Sequence, residues 1–187
     1  DELKHFEELE KEVTSSEFIN KVKEIKAQNF KKTDEYKQEQ EFIRLGKSKG
    51  IKTYFKVLGS KKLEEFKSFS GSEELKKFQE MEKYVNSEAF RKAKLEADFK
   101  KSDAAVKEQE FKKLSGSSGV KAYFAFEKSA DYKEYQRVDG SDELKKYEAL
   151  KDVVASDKFN EVKKYMALSA KEKYEQTEEF KKQQEYD

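Results

Sequence analysis

Apolar residues recur along the chain at steps of three and four positions, and Lys and Glu fill most positions between them. Two segments that show the pattern clearly run from 60 to 69 and from 72 to 85. Their apolar residues are Leu63, Phe66, Phe69, Leu75, Phe78, Met81 and Val85. Such steps gather side chains on one face of an α-helix, whereas the alternation by two that strands need is missing. The pattern predicts amphipathic helices and no β-sheet.

A Ser or Thr stands three positions before an apolar residue at each predicted helix start. These hydroxyl residues are Ser15, Thr33, Ser48, Ser60, Ser72, Ser87, Ser102, Ser117, Ser129, Ser141, Ser156 and Thr177. A hydroxyl at this position accepts a hydrogen bond from an unpaired amide of the first turn. Most neighbouring caps are 12 or 15 positions apart, so the predicted helices are short and each must bury its apolar stripe on other helices.

The sequence leaves two helix starts undecided and places glycines before several others. Thr33 and Ser102 either start new helices or interrupt longer ones. Gly59, Gly71, Gly116 and Gly140 each precede a cap, where a left-handed residue suits the reversal of the chain.

The chain contains internal repeats. Residues 73–90 match residues 1–18 at ten of eighteen positions, and a third copy begins at Asp142. We therefore predict units 1–71, 72–140 and a partial unit 141–187, stacked copy on copy in one continuous solenoid-like or superhelical array. Because Tyr186 takes the place of Phe42 and Phe111, before the two helices that close the earlier units, we expect the natural protein to be longer.

Composition favours an ordered protein over a disordered one. Charged residues make up 43% and the mean hydropathy is -1.13, but 41 basic and 40 acidic residues nearly cancel. The 15 Phe and 10 Tyr supply apolar surface for burial. The chain has no cysteine, which excludes disulfides and thiolate chemistry, and its apolar runs are too short to span a membrane.

Residues that could perform catalysis are scarce. The single histidine, His5, and the acidic neighbours Glu7, Glu8 and Glu10 are expected on solvated helix faces. No serine lies in a G-x-S-x-G elbow, and the segment 116–119 lacks the lysine of a phosphate-binding loop. We predict no catalytic, metal or cofactor site in this chain.

One segment carries basic residues and no acid. Its candidate binding residues are Arg44, Lys47, Lys49, Lys52, Tyr54, Lys56, Lys61 and Lys62. Such a segment could contact phosphates or an anionic polysaccharide, with an aromatic platform for a base or a sugar ring. Two observations count against binding. The second unit loses most of the basic residues, and Tyr54 matches Tyr123 in that unit, which indicates that both rings are packing positions. Nucleic acid is the less favoured ligand. Tyr36, Tyr84 and Tyr135 are further candidates for exposed, sugar-stacking rings.

Three segments resemble a known region. The sequences SEELKKFQEMEKYVNSEAF at 72–90, SDELKKYEAL at 141–150 and TEEFKKQQEY at 177–186 are similar to the Lys/Glu-rich helical region that precedes the catalytic domain in Bacteroidetes proteins of glycosyl hydrolase family 16. The resemblance covers essentially the whole chain. It implies an exported or cell-surface protein in which this region is a spacer or interaction platform and hydrolysis occurs elsewhere.

No catalytic residue is carried over from that family. Its enzymes use a strand-borne E-x-D-x-E or E-x-D-x-x-E motif, whose glutamates act as nucleophile and acid/base. The nearest approach is Glu96 and Asp98, which Lys100 and Lys101 follow where the last Glu is required. We also expect this stretch to be helical.

The sequence thus favours a non-catalytic helical repeat module that spaces other domains or docks a protein partner. A carbohydrate- or polyanion-binding module is the alternative. An enzyme on this scaffold would require a pocket with converging carboxylates.

Overall fold

The computed structural model describes residues 2–187, and within them every regular element is helical. There are fourteen α-helices and two short 3-10 turns, at Phe30–Lys32 and Phe99–Lys101. The α-helices are α1 Glu2–Val13, α2 Ser16–Ala27, α3 Asp34–Gly46, α4 Lys49–Leu58, α5 Lys61–Ser70, α6 Glu73–Val85, α7 Glu88–Lys94, α8 Asp103–Ser115, α9 Ser118–Glu127, α10 Ala130–Val138, α11 Asp142–Ala155, α12 Asp157–Ala167, α13 Ala170–Glu175 and α14 Glu178–Tyr186. The predicted all-α class is confirmed.

The predicted caps define the helix starts. In all twelve cases the Ser or Thr oxygen accepts a hydrogen bond from the amide three residues later. The amide of Leu75, for example, lies 3.1 Å from the Ser72 hydroxyl. Thr33 and Ser102 start the new helices α3 and α8, each directly after a 3-10 turn.

One cap was missing from the prediction. Ser169 caps α13 through a capping box, in which its oxygen accepts from the Glu172 amide and the Glu172 carboxylate accepts from the Ser169 amide. Each predicted cap precedes an apolar residue by three positions, whereas a glutamate stands three positions after Ser169. The S-x-x-E pattern is itself a recognised helix start.

The expected left-handed glycines are mostly wrong. Only Gly140 has a positive φ, of 69°, among residues 2–187. Gly59, Gly71 and Gly116 keep φ between -99° and -86°. Each is followed by a cap residue with extended backbone, so two residues reverse the chain without a left-handed step.

The chain forms two compact units. Unit 1 comprises the chain up to Lys47 together with 145–187, and unit 2 comprises 48–144. These bounds differ from the sequence units 1–71, 72–140 and 141–187, because sequence units are defined by similarity and compact units by contact.

Within each unit the chain folds back on itself. In unit 2, α4 packs on α10, α5 on α9, and α6 on α8, while α7 contacts both α6 and α8. In unit 1, α1 packs on α14, α2 on α13, and α12 on α3 with its preceding 3-10 turn. The pairs α4 with α10 and α5 with α9 join helices of the first and second sequence copies, and α1 with α14 joins the first and third. A regular solenoid-like or superhelical array stays a prediction.

One aromatic contact recurs three times in this fold-back. The stacked ring pairs are Phe6 with Tyr186 at 5.3 Å, Phe42 with Tyr147 at 5.1 Å, and Phe78 with Phe111 at 5.5 Å between centroids. Beside each pair lies a polar contact: a hydrogen bond between His5 and Glu185 at 3.0 Å, and ion pairs between Lys146 and Glu41 at 2.6 Å and between Lys77 and Glu110 at 2.8 Å. The repeat therefore encodes a specific helix pairing as well as a helix pattern.

The predicted apolar stripes form the core of each unit. In unit 2, Leu63, Leu75 and Phe78 are buried, and Phe66 is half-buried. In unit 1 the buried residues are Leu9, Val13, Phe18, Leu45 and Phe159.

Unit 1 also buries a cation, which the sequence did not reveal. The ammonium of Lys173 donates a hydrogen bond to the backbone oxygen of Gln28 at 2.9 Å. Gln28 is the C-cap of α2, so Lys173 satisfies a carbonyl at the negative end of that helix.

We predict that Phe78→Ala lowers the free energy of unfolding by about 3 to 5 kcal/mol, because its ring is 6% exposed and contacts Phe111 and Phe124. Urea titration followed by circular dichroism measures the loss. The matched variant is Phe6→Ala, which removes the equivalent ring where it is 44% exposed, and it should lose clearly less. Equal losses would show that the central stack is no better packed than the terminal one.

Candidate functional site

The basic segment is divided between the two units, and acids outside the segment partly neutralise it. Arg44 and Lys47 belong to unit 1, and the other six candidate residues belong to unit 2. Arg44 donates two hydrogen bonds to the Glu41 carboxylate, at 2.6 and 2.7 Å. Together with a hydrogen bond from Lys146, they lower the pKa of Glu41 from 4.5 to about 2.

In unit 2 the acids come from α10. The Lys56 ammonium lies 2.9 Å from Asp131, and this hydrogen bond lowers the pKa of the Asp131 carboxyl. Lys49 and Lys62 lie within electrostatic range of the same carboxylate. Lys61 pairs loosely with Glu65 at 3.6 Å, while Lys52 is exposed. The segment is therefore less positive in the fold than in the sequence, and its binding of polyanions stays a prediction.

The tyrosines proposed as platforms are at least half-buried. Tyr54 is buried and stacks on Tyr135, with 5.1 Å between ring centroids and an angle of 8°. Tyr135 is itself buried, so its expected exposure is wrong. Tyr36 and Tyr84 are half-buried, with ring edges against Phe30 and Phe90.

The residues that were considered for catalysis have structural explanations. His5 lies on the surface 3.0 Å from Glu185, and Ser117 caps α9. Glu96 and Asp98 lie in the turn after α7, which corrects the expected helix there and places no strand under them. Within residues 2–187, no three His, Asp or Glu side chains gather as a metal ion requires.

An aromatic groove opens in unit 2 between α5 and α9. We call it the α5/α9 groove; its volume is about 730 Å³. Its lining residues are Lys62, Glu65, Phe66, Phe69, Ser118, Gly119, Ala122, Tyr123, Ala125, Phe126, Ser129, Ala130 and Asp131. The aromatic side chains are half-buried, the residues between them are small, and the charged residues stand at its rim.

Stacked rings hold the groove open and fix its shape. Phe66 stacks on Tyr123 with 4.7 Å between centroids and an angle of 11°. The same ring lies 5.1 Å from Phe126 and 4.8 Å from Tyr132, so it has aromatic neighbours from both α9 and α10. Burial raises the pKa of the Tyr123 hydroxyl, which therefore stays a neutral hydrogen-bonding group at physiological pH.

Gly119 sets the distance between α5 and α9. A Cβ atom at this position would lie 2.6 Å from the ring of Phe69, closer than two carbon atoms pack. The side-chain hydrogen of glycine lets α9 approach Phe69, and the ring then forms one wall of the groove.

The groove is not among the predicted sites, although the sequence contains a signal for it. Ala122 and Ala125 occupy the positions that Thr53 and Lys56 hold in α4, so α9 carries small residues where its repeat partner is polar. The predicted binding segment 44–62 is defined by its charge, whereas α9 has lost charge at the equivalent positions.

Comparison of the chain with protein-family models, with curated proteins and with solved structures gives no match. A search for membrane spans over residues 2–187 finds every helix too short or too polar to cross a bilayer.

We predict that Glu41→Gln destabilises the protein at neutral pH and that this difference disappears as the pH falls to about 2. The folded-state pKa is depressed, so the carboxylate stabilises the fold above 4.5 and loses that effect as it is protonated near 2. Thermal denaturation of both proteins across this range measures the difference. Arg44→Ala should show part of this pH-dependent loss of stability, because Lys146 still donates a hydrogen bond to Glu41. A stability difference between Glu41→Gln and the parent protein that is constant with pH would contradict this account.

We further predict that Gly119→Ala costs about 1 to 3 kcal/mol of unfolding free energy, because the Phe69 ring must move aside. The control is Gly71→Ala, where a Cβ has no atom within 4 Å and the change should stay within about 0.5 kcal/mol. Chemical denaturation compares the two. If both variants are neutral, α5 and α9 do not approach as closely as described.

Proposed function

We propose that this chain is a non-catalytic helical module that docks a protein partner through the α5/α9 groove. The observation that carries the proposal is the groove itself, an open aromatic depression on a surface otherwise dominated by Lys and Glu. Its volume lies in the range of sites that bind drug-sized groups or several side chains.

The residue types of the groove suit a protein interface. Aromatic residues are enriched at interface centres, where a charged rim surrounds them. Phe66, Phe69 and Tyr123 provide such a centre, with Lys62 and Asp131 at the rim. The small side chains of Ala122 and Ala125 allow the backbone of a partner to come close.

The rings are poorly disposed for sugar binding, which favours this proposal over the carbohydrate alternative. A sugar stacks on the open face of an aromatic ring, but Phe66 and Tyr123 stack on each other. This contact removes one face of each ring from sugar stacking.

The resemblance to the region ahead of family 16 catalytic domains supports a wider proposal. In it, the module belongs to a longer exported or cell-surface protein, holds or docks its other domains, and leaves hydrolysis to one of them. The paired Lys and Glu side chains on its surface are compatible with a solvated spacer.

The test is a displayed library of amphipathic peptide helices with flanks of either charge, enriched on this chain and then titrated individually. We expect enriched peptides to lose roughly tenfold or more in affinity for Ala122→Trp, which fills the groove, and to bind Ala149→Trp, a change on an exposed face of α11, unchanged.

Two results would contradict the proposal. One is the absence of any enriched peptide, and the other is enrichment of peptides that bind Ala122→Trp as well as the parent protein. Glycan arrays and nucleic-acid titrations at low and high salt form the second arm. Salt-dependent affinity there, unaffected by Ala122→Trp, would move the function to the alternative class.

A further inference from the structure

The helix pair α1 and α14 of unit 1 repeats the pair α6 and α8 of unit 2. Helix α1 has the same residue as α6 at eight of its twelve positions. Phe6 stacks on Tyr186 at 5.3 Å and 21°, and Phe78 stacks on Phe111 at 5.5 Å and 20°. The two pairs therefore present equivalent rings in the same arrangement. We call Leu3, Phe6 and Tyr186 the α1/α14 surface.

The two helix pairs differ in what covers them. Leu75 and Phe78 are 2% and 6% exposed, whereas the equivalent Leu3 and Phe6 are 73% and 44% exposed. The third copy of this leucine, Leu144, is 4% exposed. The position is thus buried in two of the three copies, and only the α1/α14 surface leaves it in water.

Helix α9 supplies the cover in unit 2. Its residue Val120 forms one buried cluster with Leu75 and Phe78, and the ring of Phe124 lies 5.5 Å from that of Phe78. Leu114, on the last turn of α8, packs against the same cluster. The segment that complements this surface is therefore present in the chain itself, as a helix with apolar residues four positions apart and a leucine before its cap.

The polar neighbour of this contact is also retained in unit 1. Glu82 of α6 and Lys121 of α9 line one depression beside Phe78. Glu10 stands in the place of Glu82 and lies 3.5 Å from the Tyr186 hydroxyl. A lysine of a bound helix in the place of Lys121 would therefore approach a carboxylate.

Helix α1 does not have the residues of a capping helix. A helix that closes a repeat array has a polar outer face, because that face stays in water. Leu3 and Phe6 are instead the residues that a covered copy uses, and their burial would be favourable. A second copy of this chain is a poor source of the cover, because its own α9 is already engaged and Val120 is 3% exposed.

We propose that the α1/α14 surface binds a helix of the α9 type that belongs to a further copy of the repeat. Side chains in the places of Val120 and Phe124 cover Leu3 and Phe6, as they cover Leu75 and Phe78 in unit 2. Binding of this kind joins the module to other repeat units by completing an interface of which it holds one half. The surface is separate from the α5/α9 groove and does not depend on it.

The probe is a fluorescein-labelled peptide with the sequence of residues 112–128. A lactam bridge between positions 118 and 122, which are exposed in the fold, holds it helical so that folding does not limit its affinity. Fluorescence polarisation measures its binding to the full chain. We expect saturable binding, and roughly a tenfold or greater loss for the same peptide with Val120→Asp and Phe124→Asp.

Leu3→Asp in the protein should weaken binding of the parent peptide by roughly tenfold or more. The variant should keep its thermal midpoint, because Leu3 is exposed in the first turn of α1, where an acid suits the helix dipole. The added carboxylate would strengthen a purely electrostatic attraction to this basic peptide, so a loss identifies an apolar contact. Leu95→Asp, the same exchange at a leucine 87% exposed in unit 2, is the matched control and should leave the affinity unchanged.

Three results would overturn the inference. The first is the absence of saturable binding, and the second is binding that Leu3→Asp does not weaken. If Ala122→Trp weakens that binding instead, the peptide occupies the α5/α9 groove, which would support the proposed function alone. The third is a dimer of the parent protein in sedimentation equilibrium that Leu3→Asp dissociates, since a second copy would then cover the surface.

Discussion

The structure depends on stacking between an aromatic ring of one helix and a ring of a helix from later in the chain, with a polar contact beside the two rings. This contact occurs at Phe78 with Phe111 in unit 2, and at Phe6 with Tyr186 and Phe42 with Tyr147 in unit 1. Helices of 6 to 14 residues are unstable alone, so the apolar stripe of each must be covered. The stacked rings contribute apolar surface to each of these pairings.

The local structure could be read from the sequence because its causes are local. A hydroxyl oxygen and an amide three residues later decide where a helix starts, and apolar residues at helical spacing decide which face is buried. The fold-back could not be read in the same way. The sequence copies are similar, so the apolar pattern of α6 fits α8 and also fits the helices equivalent to α8 in the other copies. The lengths of the connections and the fit of particular rings decide which helix pairs with α6.

The candidate site shows the same division between local and distant causes. The segment 44–62 lacks acids in sequence, yet Asp131 lies 2.9 Å from Lys56 although 75 positions separate them. The groove lies where α9 carries Ala122 and Ala125 in place of Thr53 and Lys56 of α4. Their small size becomes meaningful only when the fold brings Phe66 and Phe69 of α5 beside them.

The central claim is that helices far apart in the chain, such as α5 with α9 and α3 with α11, pair through their aromatic rings. Nuclear Overhauser spectroscopy of the labelled protein, with the ring protons assigned to individual residues, tests it most directly, because the ring centroids of Phe66 and Tyr123 lie 4.7 Å apart. The account predicts strong cross-peaks between these two rings, and between Phe42 and Tyr147. Absence of both sets in a folded, helical protein would contradict it.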